Sequence, residues 1–151
     1  MTAEHIVALE LEPNPADMQV LMNGLLEFNT AQVGGETQQY LVATVRDKTS
    51  SVAGGIFAVT YMRWLHVQVV WLHESLRGHG YGSALMKIAE EEARRRGCKN
   101  AFVETLSFQA LPFYEKCGYT IFSTLRDMPP GGARYALTKD LLQQVAPPRT
   151  L

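Results

Sequence analysis

The sequence predicts a single α/β domain in which helices flank a mixed β-sheet. Apolar segments with strand character alternate with segments of helical spacing, in the order β, α, three β, α, β, α, two β. The chain has 151 residues, close to the roughly 150 residues typical of one domain, and 46% of them are hydrophobic. A chain of this length can bury a core without disulfides or a structural metal. We therefore expect one domain over residues 1–145 and a frayed tail over residues 146–151.

The composition argues against several classes of partner. The formal net charge is −1, which gives no general attraction to nucleic acid or to an anionic membrane. Cys98 and Cys117 lack the spacing of a disulfide framework or a zinc site, so we expect reduced cysteines and no metal. The N-terminal segment carries Glu4 and Glu10 where a signal peptide has a basic start, and no apolar run is long enough to span a bilayer. We expect a cytoplasmic protein.

The N-terminal segment predicts a strand followed by a helix. Residues 5–11 are rich in aliphatic side chains and are followed by Pro13, which favours a strand that ends there. Asn14 can cap a helix whose first position is Pro15, and apolar residues then recur at helical spacing. The polar residues 29–39 predict a loop.

Three strands and a long helix are predicted next. The strands span residues 40–46, 52–62 and 64–73, and their short connections imply antiparallel neighbours. The spacing then changes to that of an amphipathic helix that ends at Gly97, with one apolar face formed by Ala84, Leu85, Ile88, Ala89 and Ala93.

The remaining segments predict a strand, a short helix and two further strands. Residues 101–106 form the strand, and residues 107–117 form the helix, which Gly118 closes. The last two strands span residues 119–125 and 134–138, on either side of a Pro-Pro-Gly-Gly loop.

A glycine-rich turn, Leu-Arg-Gly-His-Gly-Tyr-Gly-Ser at residues 76–83, lies between a predicted strand and the long helix. Glycines let the backbone approach a ligand, and the free amides of a helix's first turn attract an anion such as a phosphate or pyrophosphate. A tight turn without a ligand explains a lone glycine-rich loop equally well. No Lys-Ser or Lys-Thr follows the glycines as a P-loop requires, and they do not match a dinucleotide-binding fingerprint.

The turn also contains the pattern Q/R-x-x-G-x-G/A, met by Arg77, Gly80 and Gly82, and here the sequence resembles the GCN5-related N-acetyltransferase (GNAT) family. Residues 107–119 are similar to the family's second signature, in which a helical Tyr, here Tyr114, precedes a Gly-aromatic pair. The resemblance extends from about residue 5 to residue 139, and the two motifs together are far more specific than either alone.

The resemblance implies a mostly antiparallel, twisted sheet of about seven strands, in which two parallel strands splay apart to admit the pantetheine of acetyl-CoA. By position these are the strands over residues 64–73 and 101–106. Ser107 stands where many relatives have an Asn that contacts the pantetheine. Main-chain groups of Val70 and Leu72 would bind the pantetheine and the thioester carbonyl. The pyrophosphate would be held by the amides of the turn, and Arg77 also belongs to the implied cofactor site; the amides are those of Gly78, His79, Gly80, Tyr81, Gly82 and Ser83.

The same resemblance makes Tyr114 the candidate catalytic acid, placed to protonate the departing thiolate. Without the motif, an aromatic packed between Phe113 and Cys117 would be the ordinary interpretation. The base is open among water, His66, Glu74 and Glu104, with His73 and His79 also near the turn. The Glu that some relatives use as a base does not carry over, because Val67 and Gln68 occupy that region.

The aromatic and arginine clusters have simpler interpretations. Trp64 and Trp71, together with Tyr61, could line an acceptor pocket, but alternating aromatic residues on strands more often form core. Residues 94–96 are three consecutive arginines, typical of a solvated helix end, although one of them could meet the 3′-phosphate of CoA.

These observations predict an N-acetyltransferase that transfers acetyl from acetyl-CoA directly to a primary amine, on either a small molecule or a protein. Neither cysteine has a histidine arranged to make it an acyl carrier. A CoA-binding sensor or scaffold without turnover, and an enzyme that uses another short acyl-CoA, are the alternatives. We also expect a homodimer formed through the C-terminal strands, where Tyr119, Ile121, Phe122 and Tyr135 are apolar.

Overall fold

The structure is a computed structural model, and it describes residues 4–143. The predicted tail at residues 146–151 lies outside the described residues. The chain divides into two compact units, which meet in sequence between Thr37 and Gln38. No helix within residues 4–143 is long and apolar enough to cross a membrane.

The N-terminal unit contains one helix, α1, over Pro15–Gln32. As predicted, the side chain of Asn14 caps it by accepting a hydrogen bond from the amide of Ala16 at 2.9 Å. The helix continues to Gln32, so the predicted loop begins later than expected. The predicted strand over residues 5–11 is wrong, since this segment forms neither helix nor strand. An apolar run becomes a strand only when a neighbour satisfies its backbone, and among the described residues no strand pairs with it.

The second unit is built on a six-stranded mixed sheet with the order β1-β2-β3-β4-β6-β5. The loss of the predicted first strand explains why residues 4–143 form six strands instead of about seven. β3 and β4 are parallel, and the other neighbouring pairs are antiparallel. The strands span Gln39–Arg46 (β1), Val52–Tyr61 (β2), Trp64–Leu72 (β3), Asn100–Leu106 (β4), Thr120–Arg126 (β5) and Ala133–Asp140 (β6).

Two α-helices accompany this sheet: α2 over Tyr81–Arg95 and α3 over Leu111–Lys116. A 3-10 turn over Glu74–Leu76, which the sequence did not predict, follows β3. α3 begins four residues later than predicted, because the side chain of Gln109 accepts a hydrogen bond from the amide of Leu106 and holds a turn there. The core forms between the sheet and the apolar face of α2, and its largest fully buried side chains are Ile56, Leu65, Met86, Leu137, Val67 and Val103.

β3 and β4 separate partway along their length. Their backbone pairing runs from Trp64 with Asn100 to Val67 with Val103. One residue later, β3 bulges against β2: Val67 faces Ala58 and Val69 faces Phe57, which leaves Gln68 as an extra residue. Beyond this bulge the edge of β3 that faces β4 is not hydrogen-bonded to that strand. The sequence prediction of a splayed parallel pair is confirmed in the arrangement of these two strands.

Candidate functional site

The glycine turn adopts a conformation that glycine favours. Gly78 and Gly80 have φ values of +77° and +85°, in the left-handed region that other residues rarely adopt. Gly80 is the N-cap of α2, and no side chain there caps the helix. The amides of the first helical turn therefore remain available to an anion, which the helix dipole also attracts.

A cavity of about 490 Å³ opens between this turn, the end of β3 and α3. We call it the turn cavity. Eight of the ten residues predicted to bind the cofactor line it, whereas His79 and Ser107 do not. Its walls are formed by Val70, Leu72, Arg77, Gly78, Gly80, Tyr81, Gly82, Ser83, Ala110, Phe113 and Lys116.

Three further wall residues, which the sequence motifs do not indicate, precede or belong to α3: Ala110, Phe113 and Lys116. Phe113 and Lys116 are three positions apart on one helix, so their common face could have been read from the sequence. Their position opposite Gly82 could not, because it depends on how α3 packs. A Cβ atom on Gly82 would lie 3.1 Å from the ring of Phe113, so glycine allows this close approach.

The charge of the turn cavity suits an anion. Arg77 and Lys116 are the charged residues in its wall, and both are positive. The Nε of Arg77 donates to the carbonyl of Leu72 at 3.3 Å, which ties this side chain to the end of β3. Arg94, Arg95 and Arg96 do not line the cavity, and each has a hydrogen bond elsewhere.

Ser107, which does not line the turn cavity, makes hydrogen bonds to the start of β6. Its hydroxyl accepts a hydrogen bond from the amide of Ala133 at 3.1 Å, and its own amide donates to the carbonyl of Ala133 at 2.8 Å. Ser107 thus anchors the start of β6. His79 is exposed.

Tyr114 is buried, and its ring lies 5.1 Å from that of Phe113 and 6.2 Å from that of Tyr119, centroid to centroid. Burial, with a smaller contribution from Cys117, raises the pKa of Tyr114 to about 12. The phenol therefore stays protonated at neutral pH. Tyr114 does not line the turn cavity, although its neighbour Phe113 does.

Cys98 is buried and Cys117 is half-buried, and neither forms a disulfide within residues 4–143. Burial, followed by the charge of Glu90, raises the pKa of the Cys117 thiol. A thiol with a raised pKa is a poor nucleophile at neutral pH.

A second cavity, of about 260 Å³, lies on the sheet face opposite α2, beside the paired part of β3 and β4. We call it the outer cavity. Side chains alternate between the two faces of a strand, so His66 points away from the core residues Leu65 and Val67. The outer cavity is lined by Gln38, Val59, Tyr61, Met62, Trp64, His66, Gln68 and Phe102.

Two aromatic contacts build one wall of the outer cavity. The rings of His66 and Phe102 stack with 4.1 Å between centroids and an angle of 13°. Trp64 meets Phe102 edge to face at 5.9 Å. The expectation that Trp64 and Trp71 form core is wrong, because Trp64 lines a cavity and Trp71 is 49% exposed. The bulge at Gln68 shifts the alternation of the side chains that follow it in β3, Trp71 among them. The pattern of strand residues in the sequence does not reveal this bulge.

The candidate bases differ in their surroundings. Burial lowers the pKa of His66, against a smaller opposing effect of Glu104, so its imidazole is neutral at pH 7. Glu104 forms an ion pair with Arg134. Glu74 lies on the 3-10 turn, and the side chain of His73 caps that turn by accepting from the amide of Ser75.

Within residues 4–143, no group of three or more His, Cys, Asp or Glu residues is arranged to hold a metal ion.

Comparison with known proteins identifies relatives of this chain. The model of the acetyltransferase (GNAT) family matches residues 6–119. The chain is 35% identical over 113 residues to an acetyltransferase of Agrobacterium fabrum, an alignment that covers 75% of this chain and 82% of that protein. It is 41% identical over 91 residues to blasticidin-S acetyltransferase of Streptomyces morookaense, covering 60% of this chain and 67% of that protein. The crystal structure of an acetyltransferase from Agrobacterium tumefaciens matches with a TM-score of 0.84 and 32% identity, over 90% of this chain and 99% of that one.

Proposed function

The chain belongs to the GNAT acetyltransferase family, and on that premise we propose that it transfers acetyl from acetyl-CoA directly to a primary amine. The observation that carries the proposal is the turn cavity, where an uncapped helix N-terminus and two cations meet the free edge of β3. An anionic pyrophosphate suits the helix N-terminus and the two cations, and an extended chain with amide groups suits the free edge of β3.

In this proposal the pyrophosphate binds the amides at the start of α2, while Arg77 and Lys116 balance its charge. The pantetheine lies along β3 at Val70 and Leu72. Beyond Val67, this strand is not paired with β4. Main-chain donors at this edge can polarise the thioester carbonyl and stabilise the oxyanion that forms when the amine attacks.

We assign Tyr114 as the residue that donates a proton to the departing thiolate. The amine nitrogen forms a bond to the acetyl carbon, the carbon–sulfur bond breaks, and the sulfur takes a proton. The pKa of about 12 keeps the phenol protonated, so the donor is available at every physiological pH. Tyr114 adjoins Phe113 on α3, which brings it next to the wall of the turn cavity.

We assign His66 as the base that accepts the proton of the amine, directly or through water. Its lowered pKa leaves the imidazole neutral and able to accept a proton at pH 7. It lies two residues before Gln68, next to the point where β3 and β4 separate. Glu104 serves less well because Arg134 already holds its carboxylate.

A small-molecule amine is the acceptor we favour, and one relative is named for blasticidin S. The proposal extends to a cytoplasmic homodimer. There are two alternatives. The protein could use another short acyl-CoA as donor, or it could bind CoA without turnover.

The decisive experiment incubates the purified protein with acetyl-CoA and a panel of amines that includes blasticidin S, a polyamine, amino acids and a lysine peptide. Release of free thiol, together with a product that has gained one acetyl group on nitrogen, supports the proposal. Binding of CoA by calorimetry without turnover of any amine would indicate a sensor instead. Faster turnover of propionyl-, malonyl- or succinyl-CoA would indicate a different acyl donor.

A further inference from the structure

The outer cavity has a wall chemistry that restricts what it can hold. Among residues 4–143, none of those that line it is Asp, Glu, Lys or Arg. His66, which could carry a charge, is neutral because burial lowers its pKa. A cation placed there would lose its water and find no carboxylate in the wall, which is unfavourable. An uncharged group is the better occupant.

The shape of the wall favours a flat group. His66 and Phe102 stack nearly parallel, and Trp64 meets Phe102 edge to face, so these three rings offer a face and an edge to a further ring. Aromatic rings prefer such offset or edge-to-face neighbours, which stabilise a bound ring beyond the area that it buries. The cavity of about 260 Å³ is smaller than the 300–1,000 Å³ of a typical whole-ligand pocket, so it suits one ring of a substrate.

Tyr61 adds a polar position to this apolar wall. Its hydroxyl is buried and has no hydrogen-bond partner among residues 4–143. A buried hydroxyl without a partner is energetically unfavourable, so it is rarely retained without a reason. A polar group on a ring bound next to Tyr61 could supply the missing hydrogen bond after a small movement of the side chain.

The cavity also has a fixed relation to the proposed reaction. Its walls include His66, the proposed base, and Gln68, the bulge residue at which β3 leaves β4. The turn cavity approaches the same separation from the α2 side through Val70, two residues farther along β3. A molecule held in the outer cavity would therefore reach the acetyl group from the face opposite the cofactor.

We propose that the outer cavity is the subsite that selects the acceptor, and that it binds an uncharged planar ring bearing a hydrogen-bonding group near Tyr61, with the reactive amine directed to His66 and Gln68. This inference rests on the proposed function. It identifies the substrate class as an aryl or heteroaryl alkylamine.

The first experiment measures kcat/KM with acetyl-CoA and four probes: tyramine, phenethylamine, hexylamine and putrescine. Tyramine carries a ring and a hydroxyl, phenethylamine a ring alone, hexylamine neither, and putrescine a second ammonium. We expect kcat/KM to fall in that order. Equal values for phenethylamine and hexylamine, or a higher value for putrescine, would overturn the subsite while leaving the N-acetyltransferase function intact.

The second experiment uses Tyr61→Phe, which removes only the hydroxyl. Loss of one hydrogen bond, worth about 0.5–1.5 kcal/mol, should raise KM for tyramine about 2- to 10-fold and leave phenethylamine unchanged. Tyr40→Phe is the matched control, since Tyr40 is on the neighbouring β1 and does not line the cavity. A merely structural hydroxyl would change the melting temperature and affect both amines equally, which would contradict the proposed contact.

The third experiment separates the subsite from catalysis. In a Trp71→Phe background, Trp64 is the sole tryptophan of the chain, and its fluorescence reports binding of each amine in the presence of CoA. Ring-dependent quenching without turnover would uphold the subsite and refute the transferase function. Turnover without ring-dependent quenching would refute the subsite and uphold the transferase function.

Discussion

The carboxylate of Glu90 on α2 accepts hydrogen bonds from the ammonium of Lys139 on β6 at 2.9 and 3.1 Å. Both groups are largely buried, with side chains 7% and 22% exposed. Lys139 also donates to the carbonyl of Cys117, and the hydroxyl of Tyr119 donates to Glu90. This network joins α2, which begins at the glycine turn, to the segment that follows α3 and to β6.

Glu90→Ala should destabilise the protein by about 3 kcal/mol, because it leaves the ammonium of Lys139 partly buried without its carboxylate. Urea unfolding measures the change in the free energy of unfolding. Glu91→Ala, at the exposed neighbouring position, is the control and should change it by less than about 0.5 kcal/mol. Similar losses in the two variants would show that the buried network contributes nothing special.

Gly82→Val should abolish binding of acetyl-CoA, because the new side chain would push the ring of Phe113 across the turn cavity. Calorimetry measures the affinity, and circular dichroism checks that the protein is folded. Gly24→Ala in α1 introduces a side chain with no atom within 4 Å, so it should leave CoA binding unchanged. A folded Gly82→Val protein with normal affinity would remove the turn cavity as the cofactor site.

Tyr114→Phe should lower kcat by about 10²- to 10⁴-fold, the usual contribution of general acid catalysis, with little change in CoA affinity. Because burial raises the pKa of Tyr114 to about 12, the acid form is lost only as the pH rises through that value. The wild-type rate should therefore show no decline from this group between about pH 7 and pH 10. Retention of full kcat where chemistry limits turnover would make Tyr114 a packing residue.

His66→Gln should lower kcat/KM by about 10²-fold or more and remove the acidic limb of its pH profile. The pKa of His66 lies below its usual value, so its neutral form predominates above that lowered pKa and is lost as the pH falls through it. The wild-type limb should accordingly have its midpoint below the ordinary histidine pKa of about 6.5. An unchanged acidic limb in His66→Gln would assign the base elsewhere, and Glu104→Gln would be the next variant to measure.

Light scattering should give twice the 16.8 kDa mass of one chain. β5 is an edge strand on which every residue is exposed, and three large apolar side chains, Ile121, Phe122 and Leu125, are among them. Such an edge pairs readily with another copy. Phe122→Lys should yield the monomer, and a wild-type protein that is monomeric at tens of micromolar would refute the dimer.

The sequence predicted the parts of the site that lie within one segment. Gly80 and Gly82 could be placed on a strand-turn-helix unit because their role follows from local backbone geometry. The contact of Gly82 with Phe113 could not, since it joins residues that are distant in the chain. The aliphatic residues 5–11 resemble a strand locally, but strand formation depends on a partner that local pattern does not specify. Trp64 was misassigned for a similar reason, because alternation along a strand does not reveal whether a face is covered.

The bulge in β3 places nine residues, Trp64–Leu72, opposite eight residues of β2. Gln68 is therefore supernumerary, and a chain shortened by this residue would keep Val70 and Leu72 on their present face. What such a chain would lose is the irregularity located where β3 departs from β4. A substitution along β3 changes a side chain but keeps the number of residues between two hydrogen-bonded positions, which is where this property resides. The irregularity at the point where β3 leaves β4 is thus set by the number of residues in β3, and an insertion or deletion in a homologue would alter it directly.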